Sequence, residues 1–555
     1  MITLKRNFSS REKLKWVTLL IWIIFAIVWF APIGMRALVN PDEGRYATLS
    51  YAMLHTGDWI TPRLNGILYF EKPAMQYWIG AIALYFFGDN EFSVRLWPAL
   101  SGFMTVLVIS HTAKILWGRI SGILAAMIAG STAWIVCNSH FLNLDMGLTF
   151  FMTVALCSFL IAQQMKSNLC WMCICWCGMA FAILSKGLIA IVIPGATLFI
   201  YSLMTRDWAC WKRMYWLHGI VIILALVAPW FIAVSIKNKD FLHFFFIHEH
   251  VERFLTKQHH RDGPVWYFIP YVLIGFFPWT FFIPSLFTCL RNEDKKDTFR
   301  PDLFLLIWAI FVFGFFSVSG SKLPSYILPM FPAMSLLLAK IISRTNEDRI
   351  KKFHISTSVF WLSIIIACGF SGYFLSASSA NYQGTYHLLV AFAYSALIVL
   401  TCTVLSYKLF RRKYLLLVMC ISALSNFLAI SLMINGYNVY AHEKTSKYMV
   451  AGIENKISEP VPFYSVGYYD QTLPFYLKRT VTLVDYIDEF EFGEKIEPGK
   501  WISNIDNFIE QWNTLPMAYA IMKTKTYTKL KSKNIPMYIL YQDKDKTVVA
   551  NHEKH

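Results

Sequence analysis

Charge is scarce in this chain. Of its 555 residues only 15% are Asp, Glu, Lys or Arg, against 56% apolar, and the mean hydropathy is +0.46. A soluble domain carries about 25% charged residues, so a wholly soluble, disordered or collagen-like chain is excluded. Cysteine is absent from the polar C-terminal stretch: all 11 lie at or before Cys420, which excludes a disulfide-stapled secreted fold. Cys170, Cys173, Cys175 and Cys177 sit in an apolar helical run, where cysteine acts as a small hydrophobe rather than a metal ligand. No internal repeat is evident, which argues against an inverted-repeat transporter. The N-terminus lacks the short apolar core of a cleaved signal, because Lys5, Arg6, Arg11, Lys13 and Lys15 lead into a full-length span.

What the chain has instead is a series of long apolar runs. Thirteen stand out, at 16–35, 95–113, 120–137, 143–165, 169–185, 187–204, 216–236, 265–288, 302–318, 324–342, 355–375, 386–407 and 414–434. Each is near the length a helix needs to cross a bilayer. Met75–Phe87 is shorter and follows Lys72-Pro73, so it is expected to lie along the interface. If it does not cross, Arg206/Lys212/Arg213, Lys295/Lys296, Arg349/Lys351/Lys352 and Arg411/Arg412/Lys413 all share one side, which the positive-inside bias makes cytoplasmic. The outer, periplasmic side then collects 36–94, 138–142, Asp145, Lys186, 237–264, 319–323, 376–385 and everything after Gly436.

The net charge of +17 follows the same division. Residues 436–555 carry 15 Lys+Arg against 15 Asp+Glu, leaving 36 against 19 for the membrane part. The excess is topological and gives no nucleic-acid footprint. The expected fold is a polytopic α-helical membrane domain over 1–435, with a juxtamembrane loop at 36–94, followed by a soluble α/β domain over 436–555. In that domain, β-rich runs at Pro462–Tyr468, Val481–Tyr486, Met517–Met522, Met537–Tyr541 and Thr547–Ala550 are separated by helix-like stretches such as Ile502–Trp512.

The outer face gathers the residues that could carry chemistry. Asp42 and Glu43 follow Pro41, which suits the first turn of a helix, but they also stand at the membrane surface with Arg45 one turn on. Tyr69, Glu71 and Lys72 precede the interfacial helix. Asp145 and Lys186 lie at the outer ends of apolar spans, where an ionisable group is functional by default. His248 and His250 flank Glu249, with Arg253 four residues after it. Either histidine, with Glu71, can supply ligands to a divalent metal such as zinc, and spacing does not choose between them. Lys322 and Tyr326 complete the set. Several cations at bilayer level suit a lipid phosphate, and carboxylates beside them suit transfer chemistry or recognition of an amine.

Taken in order, Pro41-Asp42-Glu43-x-Arg45-Tyr46, Tyr69-x-Glu71-Lys72-Pro73, Glu249-His250-x-x-Arg253-Phe254 and Lys322-Leu323-Pro324-x-Tyr326 resemble the bacterial lipid A aminoarabinose transferases. These are undecaprenyl-phosphate 4-amino-4-deoxy-L-arabinose arabinosyltransferases (ArnT family) of the GT-C membrane glycosyltransferase class. The resemblance implies a donor, undecaprenyl phosphate carrying the amino sugar, and an acceptor, a phosphate of lipid A, at the periplasmic face of the inner membrane. It implies an essential Asp42 with Asp145 nearby, and Arg45, Lys72, Lys186 and Arg253 on the lipid phosphate. Tyr326 would close over the cavity, and Glu71 with one histidine would bind a metal. Because an acceptor phosphate is already largely ionised near neutrality, with a second pKa of about 6, Asp42 is expected to orient the acceptor or grip the sugar ammonium rather than abstract a proton. A protein O-mannosyltransferase of the same class and a lipid flippase are the rival readings.

Overall fold

The computed structural model describes residues 10–165, 168–247, 263–287, 299–345, 347–376, 382–410, 415–458 and 460–553. Each of the thirteen expected spans has a helix, or a broken pair of helices, in its place. Among the described residues nine helices are long and apolar enough to cross a membrane, and eleven if each of two bent pairs counts as one. The apolar helices Ser10–Phe30 and Ile189–Thr205 stand where the other two spans are expected. The chain is therefore a multi-pass membrane protein. Helix Asp145–Gln164 is almost wholly enclosed by its neighbours, whereas Trp216–Lys237 and Leu388–Ser406 leave most of their surface for lipid. The enclosed helix presents Asp145 at its first turn to the interior.

Two expected spans are not continuous. The run 120–137 forms Arg119–Ser131 and Ala133–His140, bent by 58°. The run 265–288 breaks by 105° between Phe268–Gly275 and Trp279–Leu286. The second break follows from Pro278, which cannot donate to the helical ladder. The first has no proline and is completed by the second: Ala133 N–H donates to the Phe277 carbonyl at 3.2 Å, and Trp279 Nε1 donates to the Ile128 carbonyl and Ser131 Oγ, both at 3.1 Å. Irregular backbone at membrane depth survives only where protein supplies its partners, and here each break supplies the other.

Met75–Phe87 forms one helix, as its length predicts. Gln76, Tyr77, Gly80, Ala81, Ala83 and Leu84 are buried, while Ile82, Tyr85, Phe86 and Phe87 are exposed. Before it, β1 (Arg63–Leu64) and β2 (Ile67–Leu68) make a hairpin around Asn65-Gly66. Both turn residues have positive φ, 51° and 82°, as a two-residue hairpin turn demands.

The C-terminal region carries β3 (Phe463–Val466), β4 (Thr482–Val484), β5 (Trp501–Ile502), β6 (Tyr519–Lys523), β7 (Tyr538–Gln542) and β8 (Lys546–Ala550). They form one sheet in the order β5-β4-β3-β6-β8-β7, with the first four strands parallel and β8 and β7 antiparallel. Helix Ile505–Thr514 buries Phe508 and Trp512 against one face. All five β-rich runs contain a strand; β5 has only two residues, too few for an alternating pattern to show.

This sheet domain rests directly on the first loop. Arg63 Nη1 reaches both carboxylate oxygens of Glu497 at 3.0 Å, Asn65 exchanges two hydrogen bonds with the Val481 backbone, and Thr48 Oγ1 donates to the Gln471 carbonyl at 3.1 Å. At Gly44 a Cβ would meet the Gln471 backbone at 2.5 Å, so only glycine allows the helix Asp42–Thr56 to approach so closely.

Candidate active site

The helix Asp42–Thr56 opens the site because Pro41 precedes it and two carboxylates complement its first turn. The two acids face different surroundings. Glu43 is buried and spends both oxygens: Oε1 accepts from Arg95 Nε at 2.7 Å and Leu142 N–H at 2.9 Å, and Oε2 from Arg95 Nη2 at 2.7 Å, Val39 N–H at 3.0 Å and Arg36 Nη1 at 3.4 Å. Burial alone would raise its pKa, but the Arg36 and Arg95 charges and these donors outweigh burial and hold the carboxyl down at about 2. Arg95, fully buried, also donates to the carbonyls of Ile33 and Ala37. Arg36 donates to the His140 carbonyl and lies over the Phe141 ring at 3.8 Å.

Asp42, by contrast, has a half-exposed side chain whose Oδ1 meets Arg45 Nη1 at 3.3 Å. The other arm of Arg45 points to Glu489 Oε1 of the C-terminal domain at 3.6 Å. Arg45 and Glu489 are both nearly closed to solvent, and Glu71, Tyr69 and Tyr46 crowd the same guanidinium electrostatically. Burial lifts the Glu489 carboxyl to about 7, since Asp488 adds to the rise and Arg45 only partly opposes it. Burial, with Glu71 beside it, pushes the Tyr69 phenol far up, so Tyr69 is a neutral hydroxyl at working pH. Lys72 is half-buried next to this group and donates from Nζ to the Glu71 carbonyl at 2.6 Å.

A second cluster forms across the bundle. Asp145, buried at the head of its helix, binds Lys186 Nζ through Oδ1 and accepts from Ser325 Oγ through Oδ2 at 2.6 Å. Lys186 ends the helix Leu169–Lys186, where the dipole favours a cation. Its Nζ also lies over the Tyr326 ring at 4.4 Å, and that ring packs on Phe316. Lys322 is buried nearby in the chain, donating from Nζ to the Ser319 carbonyl at 2.7 Å. Glu43 ties the two clusters together, because its Leu142 hydrogen bond holds the turn that delivers Asp145 while Asp42 is its neighbour in the chain.

Of the expected site residues, Asp42, Arg45, Tyr69 and Glu71 come together, as do Asp145, Lys186 and Tyr326. His248, His250 and Arg253 lie outside the described residues. Among the described residues no three His, Cys, Asp or Glu side chains converge. Glu71 sits in a mixed polar cluster with Arg45 and Tyr69 around it. The sequence reading missed Arg36, Arg95 and Glu489. Arg95 carried a signal, an arginine at the start of an apolar span; Glu489 carried none among the other acids of its domain.

Comparison with known proteins covers the whole of this arrangement. A family model described as dolichyl-phosphate-mannose-protein mannosyltransferase matches residues 15–245, and one described as aminoarabinose transferase C-terminal domain matches 449–551. An undecaprenyl phosphate-α-4-amino-4-deoxy-L-arabinose arabinosyl transferase of Proteus mirabilis (strain HI4320) is 35% identical over 402 residues, 70% of this chain and 71% of its own. The corresponding transferase of Yersinia enterocolitica is 30% identical over 392 residues, 67% of this chain and 69% of its own. The crystal structure of ArnT from Cupriavidus metallidurans bound to undecaprenyl phosphate superposes with a TM-score of 0.91 at 34% identity, covering 97% of this chain and 98% of that one.

Proposed function

The chain belongs to the undecaprenyl phosphate-α-4-amino-4-deoxy-L-arabinose arabinosyl transferase family, and from that membership we propose that it moves 4-amino-4-deoxy-L-arabinose from undecaprenyl phosphate to a phosphate of lipid A. The reaction takes place at the periplasmic face of the bacterial inner membrane, in keeping with the basic clusters gathered on the opposite side. In the transfer, an acceptor phosphate oxygen forms the new bond to the anomeric carbon. The bond from that carbon to the carrier phosphate breaks, and undecaprenyl phosphate leaves with the electron pair.

The observation that carries this reading is the pairing of exposed and buried charges at the loop-side end of the bundle. Arg45, Lys72 and Lys186 receive the phosphate charge in this reading, and stabilising the departing phosphate is the hard part of the step. Asp145 orients Lys186, with Ser325 fixing the carboxylate and the Tyr326 ring covering the ammonium. Asp42, reachable from solvent, orients the ionised acceptor or grips the sugar ammonium. Tyr69 contributes a neutral hydroxyl, and Lys322 adds positive potential. Glu43 is a positioning residue for the turns that carry Asp42 and Asp145. Arg253, by its place in the family motif, is assigned to the same phosphate. A divalent metal held by Glu71 and one histidine of 248–250 would add Lewis-acid charge there, and no step above depends on it.

Capping lipid A phosphates with an amino sugar reduces surface negative charge, so the protein gives resistance to polymyxin and other cationic peptides. Mass spectrometry of lipid A from cells with and without the gene tests the proposal: aminoarabinose adducts that appear only with the gene support it. A second reading, transfer of mannose to protein hydroxyls, has the match over 15–245 in its favour. Lipid A that is unchanged while membrane proteins gain mannose would replace the first reading with the second.

A further inference from the structure

The membrane helices that bring Asp145 and Lys186 to the loop side enclose a separate cavity farther along their length. It measures about 290 Å³ and is walled by Phe159, Trp176, Met179, Pro194, Gly195 and Trp216. Ile191 and Ile220 on its lining are exposed, so it opens on the outside of the bundle. Almost none of its wall is polar, and in a bilayer such a groove fills with hydrocarbon, since an empty one forfeits dispersion contacts on one side.

One end of the groove is built by the loop between Ile189–Thr205 and Trp216–Lys237, through Trp211 and Met214. Trp211 stacks on Trp216 at 5.9 Å, and Trp216 meets Trp176 at 5.4 Å. Indoles gathered this way mark a membrane–water boundary. The same loop carries Arg206, Lys212 and Arg213 against a single acid, Asp207, whose Oδ1 is taken by the Ala209 N–H. Arg213 Nε is shut off from solvent yet makes no hydrogen bond among the described residues. Arg45, Arg63 and Lys186 on the loop side each have a carboxylate partner; among the described residues these three cations have none.

We propose that this groove is a binding site for an anionic phospholipid of the leaflet on the basic side, with one acyl chain between Trp176 and Gly195 and the phosphate on Arg213 and Lys212. The hydrocarbon supplies contact along the apolar wall, and the phosphate supplies charge-assisted hydrogen bonds to cations that have no carboxylate partner among the described residues. The site is separate from the transfer chemistry and does not depend on it.

Gly195 offers a test. A Cβ there meets nothing within 4 Å, so a side chain at this position starts into open space on the groove lining, Gly195→Leu takes up groove volume, and replacing a helical glycine favours the helix. The purified full chain is examined by native mass spectrometry with phosphatidylglycerol, phosphatidylethanolamine or undecaprenyl phosphate added separately. The wild type is expected to retain one phosphatidylglycerol at least about tenfold better than phosphatidylethanolamine, a difference of about 1.4 kcal/mol. Gly195→Leu and the double variant Lys212→Ala/Arg213→Ala should each lose about tenfold of that retention and keep undecaprenyl phosphate binding. Equal retention of phosphatidylglycerol by wild type and both variants, or no headgroup preference, overturns the proposal. Loss of undecaprenyl phosphate from Gly195→Leu overturns it as well, by assigning the groove to the donor's prenyl chain. If Gly195→Leu does not fold, the double cation variant decides alone by the same comparison.

Discussion

The carboxylates of the site are held on two opposite plans. Around Glu43 every oxygen is taken, by Arg95, Arg36 and two backbone N–H groups, and all of it is closed to solvent. Around Asp42 and Asp145 each carboxylate has few partners: Arg45 for the first, Lys186 and Ser325 for the second. Residues adjacent in the chain and equal in charge thus divide the work. A saturated buried carboxylate is costly to disturb but has nothing left to offer a substrate, whereas a sparsely bonded one retains lone pairs for chemistry. This difference supports the proposal that the acidic pair of the first loop is one scaffold residue, Glu43, and one working residue, Asp42.

The most damaging change should fall on the saturated cluster. Glu43→Ala leaves Arg95 and Arg36 buried without their anion, a loss of roughly 3–5 kcal/mol, so the protein should fail to accumulate in membranes. A Glu43→Ala protein with wild-type yield and thermal stability would erase the distinction. The pH sign follows from the same residue. With its pKa held at about 2, below the usual 4.5, Glu43 contributes stability above pH 4.5 that is lost as pH falls toward 2.

Next in size is Lys186→Ala, which removes the cation between Asp145 and the Tyr326 ring. Transfer should fall by ten- to a hundredfold, the value of about 1.5–3 kcal/mol for a charge-assisted contact, while the thermal midpoint drops far less than for Glu43→Ala. Assays of transfer rate and melting on the same preparation separate the two effects. A large stability loss with little effect on the rate of the folded fraction would move Lys186 into the scaffold.

The smallest effect belongs to the C-terminal domain. Glu494 is 2% exposed, neither of its carboxylate oxygens has a hydrogen-bond partner among the described residues, and burial with Glu491 nearby lifts its carboxyl to about 7. A raised carboxyl pKa gives stability that is present below about pH 4.5 and lost as pH rises through 7. Glu494→Gln should therefore melt a few degrees higher than wild type at pH 8 and nearly level with it at pH 5. The same offset at both pH values would remove the titration from the account.

Much of this was legible in the sequence because apolar run length and cationic loops are local signals. Those signals place the helices and the collection of Asp42, Asp145 and Lys186 at one end of the bundle, and β-rich runs place five of the six strands of the C-terminal sheet. The sequence reading misses β5 (Trp501–Ile502), whose Ile502 falls in the following helix-like stretch. The break at Thr132 was not legible, since it lacks a proline and its Ala133 N–H is satisfied by the Phe277 carbonyl of the other break; Pro278 marked the second break, though not the partners that complete it. Which carboxylate pairs with which cation was also beyond reach. Arg95 is brought to Arg36 and Glu43 from a separate segment, and Glu489 reaches Arg45 from the sheet domain, which seats itself on the first loop at Gly44.

The central claim, that Asp42 works by its charge and position while its neighbour Glu43 holds the scaffold, is tested most directly by transfer rates of wild type and Asp42→Asn from pH 5 to 9. The account predicts that Asp42→Asn folds as wild type, loses most of its activity, and shows about the same deficit at pH 6.5 as at pH 8.5, because no proton leaves the acceptor in the transition state. A deficit that narrows steadily as pH rises, where acceptor ionisation becomes complete, would contradict it and make Asp42 the general base.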